Sequence, residues 1–306
     1  MAGLLSNLPN HVRIVEVGPR DGLQNEPDIV PTAVKARYVE MLAASGLSDI
    51  EVTSFVNPKR VPQLADAEAL FALLPASENI SYSALVPNKR GLERALSSGA
   101  RNIALFTAAS ETFVESNIGM TISESLAVFR DLLPVAESAG MGVRAYISTA
   151  FHCPFEGRIS EHAVQRIVGE LLDMGVDEIS LGDTIGHAVP TEVENLLTSI
   201  APLLPLKCTS CHFHDTRGAA LANVLTALEL GVAIFDTSSG GLGGCPFAPG
   251  AAGNLATEDL ILMLDGMGIE TGVNVELIAK ASRYLSAELG KPLPGKALQA
   301  LNKSVC

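Results

Sequence analysis

Short apolar runs rich in β-branched residues recur along the chain, with amphipathic stretches between them. Such runs predict strands at residues 13–17, 50–54, 80–86, 102–107, 143–149, 178–181, 207–214 and 233–237. Hydrophobic spacing typical of helices lies between them, at residues 34–44, 123–137, 162–174, 191–200 and 219–230. Eight strand–helix units in about 250 residues are typical of a closed (β/α)8 barrel, the TIM-barrel fold.

The positions of glycines support this alternation of strands and helices. Gly46, Gly99, Gly140, Gly175 and Gly231 each follow an amphipathic run. A helix commonly ends at a left-handed residue, which glycine adopts without a steric cost. The repeating unit is therefore a helix, a glycine and a strand.

The part of the chain after the eighth strand predicts a glycine-rich loop at residues 240–250 and helices at residues 257–267 and 275–289. Because no linker rich in proline or serine divides the chain, we predict a single catalytic domain, residues 1–306. Its helical C-terminal extension begins at about residue 270 and caps the barrel or forms a dimer contact. An open doubly wound sheet is the alternative fold, although such sheets normally have fewer strands.

Charge and cysteine content exclude several classes of protein. The formal net charge is −13 and no run of Lys or Arg exceeds two residues, so we expect no nucleic-acid partner. An odd number of cysteines, five in 306 residues, favours reduced thiols and a cytoplasmic location. No apolar run reaches the length of about 18 residues that a membrane span needs, and the first eleven residues show no targeting pattern, so we expect no membrane partner.

Two histidines one residue apart are the first candidate for chemistry. His212 and His214 lie in a predicted strand, where alternate side chains share a face, so both imidazoles point the same way. They form half of a metal site or a buried structural pair. Asp21, at the end of the first strand, would add a carboxylate and Asn254 an amide oxygen. This mixture of ligands favours Mg²⁺ or Mn²⁺, with Zn²⁺, Co²⁺ and Fe²⁺ as alternatives.

A second pair, Cys208 and Cys211, stands beside His212. An odd separation places the two sulfurs on opposite faces of a strand, and no second cysteine pair completes a tetrahedral site. We therefore interpret both cysteines as core residues.

Two charged residues, Arg20 and Asp183, fall at predicted strand ends, where TIM barrels carry their chemistry, and a third, Glu51, lies within the second predicted strand. Arg20 could neutralise a substrate oxyanion. Glu51 should point into an apolar barrel interior, so it needs Arg20 or the metal shell as a partner, or else forms a purely structural ion pair. Asp183 is a supporting or proton-transfer group of the site, or simply a helix N-cap.

The glycine-rich loop carries one thiol, Cys245. A flexible surface connection would contain Ser or Lys, and this loop contains neither. We therefore predict a mobile lid that places a reactive thiol over the barrel mouth.

Four segments closely resemble 3-hydroxy-3-methylglutaryl-CoA lyases: residues 15–26, 50–55, 180–184 and 241–254. The likeness extends from about residue 13 to residue 272, and it diverges after Gly290. It implies a metal-dependent TIM barrel that cleaves 3-hydroxy-3-methylglutaryl-CoA to acetyl-CoA and acetoacetate. Its small-molecule partner would be an acyl-CoA, and its product a ketone body formed in leucine degradation.

The same resemblance implies the metal ligands. Asp21, His212, His214 and Asn254 would hold a divalent ion, Mg²⁺ or Mn²⁺. Either His212 or Asp183, the latter through water, would accept the proton of the substrate hydroxyl.

Further roles are also implied by the resemblance. Arg20 and Gln24 would bind the substrate, with Arg20 at the thioester oxygen. Cys245 would be the catalytic thiol. Glu51 and Asp183 match acidic positions in or beside the active site.

Three other functions remain open at this stage. The protein could be a synthase of the same barrel group that condenses an acyl-CoA with a 2-oxo acid. It could be a lyase for longer 3-hydroxy-3-alkylglutaryl-CoA esters. It could also be a barrel without catalytic activity that binds metal or acyl-CoA. The helical tail leads us to expect a homodimer.

Overall fold

Eight parallel strands close into a barrel in the computed structural model, which describes residues 8–176, 178–244 and 253–303. The barrel strands are β1 (Arg13–Glu16), β2 (Asp49–Ser54), β3 (Ser81–Leu85), β4 (Asn102–Ala108), β5 (Gly142–Ser148), β8 (Glu178–Asp183), β9 (Thr209–Phe213) and β10 (Ile234–Thr237). Two short strands, β6 (His152–Cys153) and β7 (Gly157–Arg158), form a separate antiparallel pair.

Helices connect the barrel strands and continue beyond the last one. They are α1 (Thr32–Ala43), α2 (Ala67–Leu73), α3 (Lys89–Ser97), α4 (Glu111–Ile118), α5 (Ile122–Ser138), α6 (Glu161–Asp173), α7 (Pro190–Ile200), α8 (Ala220–Leu230), α9 (Thr257–Gly266), α10 (Val275–Leu289) and α11 (Lys296–Lys303). The pattern of apolar residues predicted seven of these helices but not α2, α3, α4 or α11, which have nine residues or fewer.

Pairing between the first and last barrel strands closes the sheet. Barrel order follows chain order, and β1 pairs in parallel with both β2 and β10. This closure confirms the predicted TIM barrel with C-terminal helices, and the open doubly wound sheet is therefore wrong.

The barrel interior is polar at several levels. Arg144 on β5 reaches across it to donate to Asp236 on β10 and to Ser210 on β9, at 2.8 and 2.7 Å. At the N-terminal ends of the strands, Arg13 on β1 contacts Glu178 on β8, which also lies 3.1 Å from Arg144 Nε. The expectation of an apolar interior is wrong here: the main apolar core lies between the outer face of the barrel and the helices.

The C-terminal extension lies against the outer helices. Helix α10 packs on α1 and α9, and α11 packs on α9. In the connection between α10 and α11, the amide of Gly295 donates to the carbonyl of Gly240 at 2.8 Å. The extension therefore supports the start of the glycine-rich loop. Among the residues described, no helix has the length and apolar character needed to cross a membrane.

Candidate active site

A cavity of about 520 Å³ opens among the ends of the barrel strands. The polar residues that line it include six from the predicted face of the barrel: Arg20, Asp21, Gln24, Tyr146, His212 and His214. This is the face at which TIM barrels carry their functional residues.

A tight turn after β1 presents Arg20 and Asp21 to the cavity. Gly18–Gly22 forms one turn of π-helix, in which the amide of Asp21 donates to the carbonyl of Val17 at 2.7 Å. A Cβ on Gly18 would lie 2.6 Å from both Glu16 Oε1 and the Tyr38 hydroxyl, so only glycine fits there. Turns of this rare type often occur at functional sites.

Three of the predicted metal ligands converge at one point. Asp21, His212 and His214 each offer a ligand atom, and these atoms all lie within 4.8 Å of one another. The two imidazole rings are 5.2 Å apart, which follows from their positions two residues apart at the end of β9.

The fourth predicted ligand, Asn254, adjoins the same cluster. Its Nδ2 donates to Asp21 Oδ2 at 2.9 Å and to the carbonyl of Leu242 at 3.0 Å. Its Oδ1 is buried and accepts no hydrogen bond in the described structure.

Unpartnered buried atoms show that this donor set fits a cation. Asn254 Oδ1 and His214 Nδ1 are buried and make no hydrogen bond within the described residues. A buried acceptor without a protein partner is costly, so it usually marks the position of a bound water or ion. Carboxylate, amide and imidazole donors together suit a divalent cation, and the cluster is a possible metal site.

Arg20 is held by two carboxylates. Its Nη1 donates to Asp21 Oδ1 at 2.6 Å, and its Nε donates to Glu51 Oε1. The Tyr146 hydroxyl donates to the other oxygen of Glu51 at 2.9 Å. Glu51 thus has Arg20 as its partner, one of the two predicted. Because the Arg20 side chain is only 8% exposed, its direction at the edge of the cavity is fixed.

Burial and neighbouring charges shift the pKa values in this cluster. Burial alone would raise the pKa of Asp21, but the Arg20 guanidinium and the two histidines hold it below its usual value. Burial, with His212 nearby, lowers the pKa of His214 to about 4, so its imidazole is neutral near pH 7. An ionised carboxylate and a neutral imidazole are the forms that bind a cation.

Asp183 lies close to the cavity but outside its lining. Its two oxygens accept the amide protons of His187 and Ala188, at 3.0 and 3.1 Å. Burial raises the pKa of Asp183 to about 6. The carboxylate closes the turn before α7 rather than serving as its N-cap, which is Val189.

The start of the glycine-rich loop, up to Gly244, belongs to the described residues. Gly243 has a φ of +119°, and a Cβ there would lie 2.5 Å from Asn254 Nδ2. Asn25 Nδ2 donates to the carbonyl of Gly244 at 2.8 Å. These contacts hold the start of the loop beside the metal cluster. The predicted thiol, Cys245, lies outside the described residues.

Of the two cysteines beside His212, Cys211 on β9 occupies a buried core position, as predicted, whereas Cys208 precedes the strand and is only partly buried. Cys211 is fully buried among apolar side chains, and Cys208 packs against the same cluster. Both are free thiols.

Arg144, Tyr146 and Asp236 also belong to this region, although the sequence pattern did not predict them as site residues. All three belong to predicted strands, and alternation on β5 would have placed Arg144 and Tyr146 on one face. A charged residue inside an apolar strand is the signal that could have found Asp236.

Taken together, the fold and the site define a TIM-barrel protein with a candidate metal centre beside a buried arginine. The HMGL-like family model matches residues 11–285. The chain is 46% identical over 299 residues to the mitochondrial hydroxymethylglutaryl-CoA lyase of Bos taurus, covering 98% of this chain and 92% of that protein.

Solved structures of hydroxymethylglutaryl-CoA lyases also resemble this chain. The hydroxymethylglutaryl-CoA lyase of Pseudomonas aeruginosa superimposes with a TM-score of 0.95 at 45% identity, covering 97% of this chain and 99% of that one. An HMG-CoA lyase from Acinetobacter baumannii, in complex with coenzyme A and 3-methylmalate, has a TM-score of 0.92 at 40% identity, with 95% of each chain covered. The chain therefore belongs to the HMGL-like family, and the relatives compared above are named hydroxymethylglutaryl-CoA lyases or HMG-CoA lyases.

Proposed function

We propose that the protein is a carbon–carbon lyase that cleaves 3-hydroxy-3-methylglutaryl-CoA to acetoacetate and acetyl-CoA. The observation that carries this proposal is the cluster of Asp21, His212 and His214 beside the buried Arg20, in a chain 46% identical to a hydroxymethylglutaryl-CoA lyase over nearly its whole length. Release of acetoacetate, a ketone body, would assign the protein to leucine degradation.

The ligands proposed for the cation are Asp21, His212, His214 and Asn254, and the cation proposed is Mg²⁺ or Mn²⁺. Oxygen and imidazole donors without a thiolate support this choice. When bound, the ion would polarise the substrate hydroxyl and carboxylate as a Lewis acid.

Proton removal from the tertiary hydroxyl begins the reaction. His212 lines the cavity but could accept the proton only while its Nε2 does not bind the cation, whereas Asp183 would receive it through water. The raised pKa of Asp183, about 6, suits a group that exchanges a proton near neutral pH.

Cleavage of the bond between C2 and C3 releases acetoacetate and leaves the enolate of acetyl-CoA. Arg20, aligned by Glu51 and Asp21, would stabilise the enolate oxygen. Gln24, in the cavity lining, would contact the substrate. We propose that the Cys245 thiol then protonates the enolate carbon while the glycine-rich loop excludes water.

The test is acetoacetate release from 3-hydroxy-3-methylglutaryl-CoA by metal-stripped protein under reducing conditions, before and after Mg²⁺ or Mn²⁺ is added. We expect turnover only with metal. Absence of turnover with metal demonstrably bound would contradict the proposal. Near-wild-type turnover in both Cys245→Ala and Arg20→Ala would contradict the assigned roles.

Three further properties are proposed with the activity: a single catalytic domain, a cytoplasmic location and a homodimer. The packing of α10 and α11 on the outer helices supports one domain. The exposed Leu262 on α9 and Leu277 on α10 are apolar side chains that a second copy would cover. Light scattering on the purified protein would test the homodimer.

A further inference from the structure

A chain of buried charges runs beneath the candidate metal centre. Asp236 on β10 is fully buried, and its two oxygens have different partners. Oδ1 accepts from Arg144 Nη2 at 2.8 Å. Oδ2 accepts from the Ser180 hydroxyl at 2.8 Å and lies 3.4 Å from His212 Nδ1. One oxygen is therefore anchored to the far side of the barrel, and the other faces a proposed metal ligand.

Arg144 does not depend on Asp236 alone. Its other contacts are the Ser210 hydroxyl at 2.7 Å, the Tyr146 hydroxyl at 3.4 Å and Glu178, whose Oε1 lies 3.1 Å from Arg144 Nε. Arg144 thus fixes Asp236 in place, whereas the Oδ2 of Asp236 is the carboxylate oxygen that adjoins His212.

The two histidines of the pair are consequently not equivalent. Neither Nδ1 makes a hydrogen bond within the described structure, but His212 Nδ1 lies 3.4 Å from the Asp236 carboxylate, and His214 forms no ion pair there. A carboxylate beside one ring nitrogen holds the imidazole proton on that nitrogen and leaves the lone pair on the other. For His212 that other nitrogen is Nε2.

We propose that Asp236 is a positioning residue that keeps the His212 proton on Nδ1 and so aims the Nε2 lone pair at the cluster of Asp21 and His214. This inference rests on the proposed metal site. Asp236 acts through His212 and touches neither the cation nor the substrate. Its geometry is that of the carboxylate–histidine–metal arrangement, in which a partner of the ligand tunes metal affinity.

The first test compares Mn²⁺ binding by the wild type, Asp236→Asn and Glu178→Gln, using calorimetry and electron paramagnetic resonance. Glu178→Gln is the matched control, because it also removes a carboxylate from Arg144 but does not touch His212. We expect Asp236→Asn to bind Mn²⁺ about 10–100-fold more weakly, and Glu178→Gln to bind it as the wild type does. Equal affinity in all three proteins, or equal losses in both variants, would overturn the proposal.

A second measurement does not depend on whether Asp236→Asn folds. In metal-free wild type at pH 9, nitrogen NMR of labelled histidine reports which ring nitrogen carries the proton, and a His212→Asn variant assigns the signals. We expect the Nδ1-protonated form for His212, and an Nε2-protonated form would refute the role of Asp236. Failure of the wild type to bind Mn²⁺ would instead count against the metal site itself.

Discussion

At the scale of single residues, Asn254 combines two roles through the two atoms of its amide. Its Nδ2 holds Asp21, while its buried Oδ1 has no partner in the described structure. We predict that Asn254→Ala weakens Mn²⁺ binding by about tenfold or more, because it removes a ligand and releases Asp21. Calorimetric titration of the metal-stripped protein measures the effect.

Asn223 provides the matched control for this variant. It is also fully buried with an unpartnered Oδ1, but it lies on α8 and its Nδ2 donates to the carbonyl of Ala188 at 2.9 Å. Asn223→Ala should lower thermal stability without changing Mn²⁺ affinity. Equal affinity losses in both variants would show that Asn254 acts only through packing.

Arg20 illustrates why charge alone does not define a site. Its Nε and Nη1 contact two different carboxylates, and the single ammonium of a lysine cannot reproduce that fork. We predict that Arg20→Lys lowers kcat for acetoacetate release by about 100–1000-fold. Arg37→Lys, in an exposed pair with Glu40, is the control and should leave kcat unchanged. A wild-type kcat in Arg20→Lys would show that any cation suffices.

At the scale of elements, Glu16 joins the end of β1 to the segments that follow β10. Its Oε1 accepts the amide protons of Gly18 and Ser239, both at 2.9 Å, and its Oε2 contacts the Thr257 hydroxyl at 2.6 Å. Burial raises the pKa of Glu16 to about 8. The folded protein therefore holds this proton more tightly than the unfolded chain does.

The sign of the resulting pH dependence follows from proton linkage. Between the unfolded pKa of 4.5 and the folded pKa of about 8, the folded state binds the extra proton. Its stability contribution is complete below pH 4.5 and is lost as pH rises, by up to about 1.4 kcal/mol per pH unit. We predict that Glu16→Gln reduces the fall in unfolding free energy between pH 5 and 8, as measured by urea denaturation. The exposed control Glu40→Gln should retain the wild-type slope, and an unchanged slope in Glu16→Gln would contradict the assignment.

Lys35 on α1 supports one wall of the cavity from behind. It is 1% exposed, and its Nζ donates to Asp66 Oδ1 at 2.7 Å and to the carbonyl of Gln63. The same loop, after β2, supplies Asn57 and Arg60 to the cavity lining. We predict that Lys35→Met raises the KM for the acyl-CoA substrate more than it lowers kcat. The loop that carries Asn57 and Arg60 would shift, whereas the catalytic side chains would keep their positions. Steady-state kinetics test this, with the exposed Lys59→Met as control; a loss confined to kcat would contradict it.

Strand and helix positions were largely predictable because their apolar spacing is local. The short helices α2 and α4 were not predicted, because seven or eight residues carry little periodic hydrophobic signal. Alternation on β9 predicted that His212 and His214 share a face. It could not reveal the partner of His212, because Asp236 lies on the neighbouring strand β10 and the register between β9 and β10, which pairs the two residues, is not readable from one strand.

At the scale of the whole molecule, the candidate site joins segments that are far apart in sequence. Asp21 follows the first barrel strand, and Asn254 follows the last one. Their hydrogen bond spans 233 residues of sequence, and the salt bridge between Glu26 and Lys291 adds a second link between the two ends of the barrel sequence. A cation bound here would tie the same ends together.

Metal binding should therefore stabilise the folded protein as a whole. At a free Mn²⁺ concentration 100 times its Kd, binding to the folded state alone adds about 2.7 kcal/mol to the free energy of unfolding. In a protein of 306 residues we expect the thermal midpoint to rise by about 4 °C when Mn²⁺ is added to metal-stripped protein. Asp21→Asn should abolish this rise, whereas the exposed Asp28→Asn should retain it. A rise of equal size in Asp21→Asn would mean that Mn²⁺ stabilises the protein from another site. Calorimetry would then show the same Mn²⁺ affinity in Asp21→Asn as in the wild type.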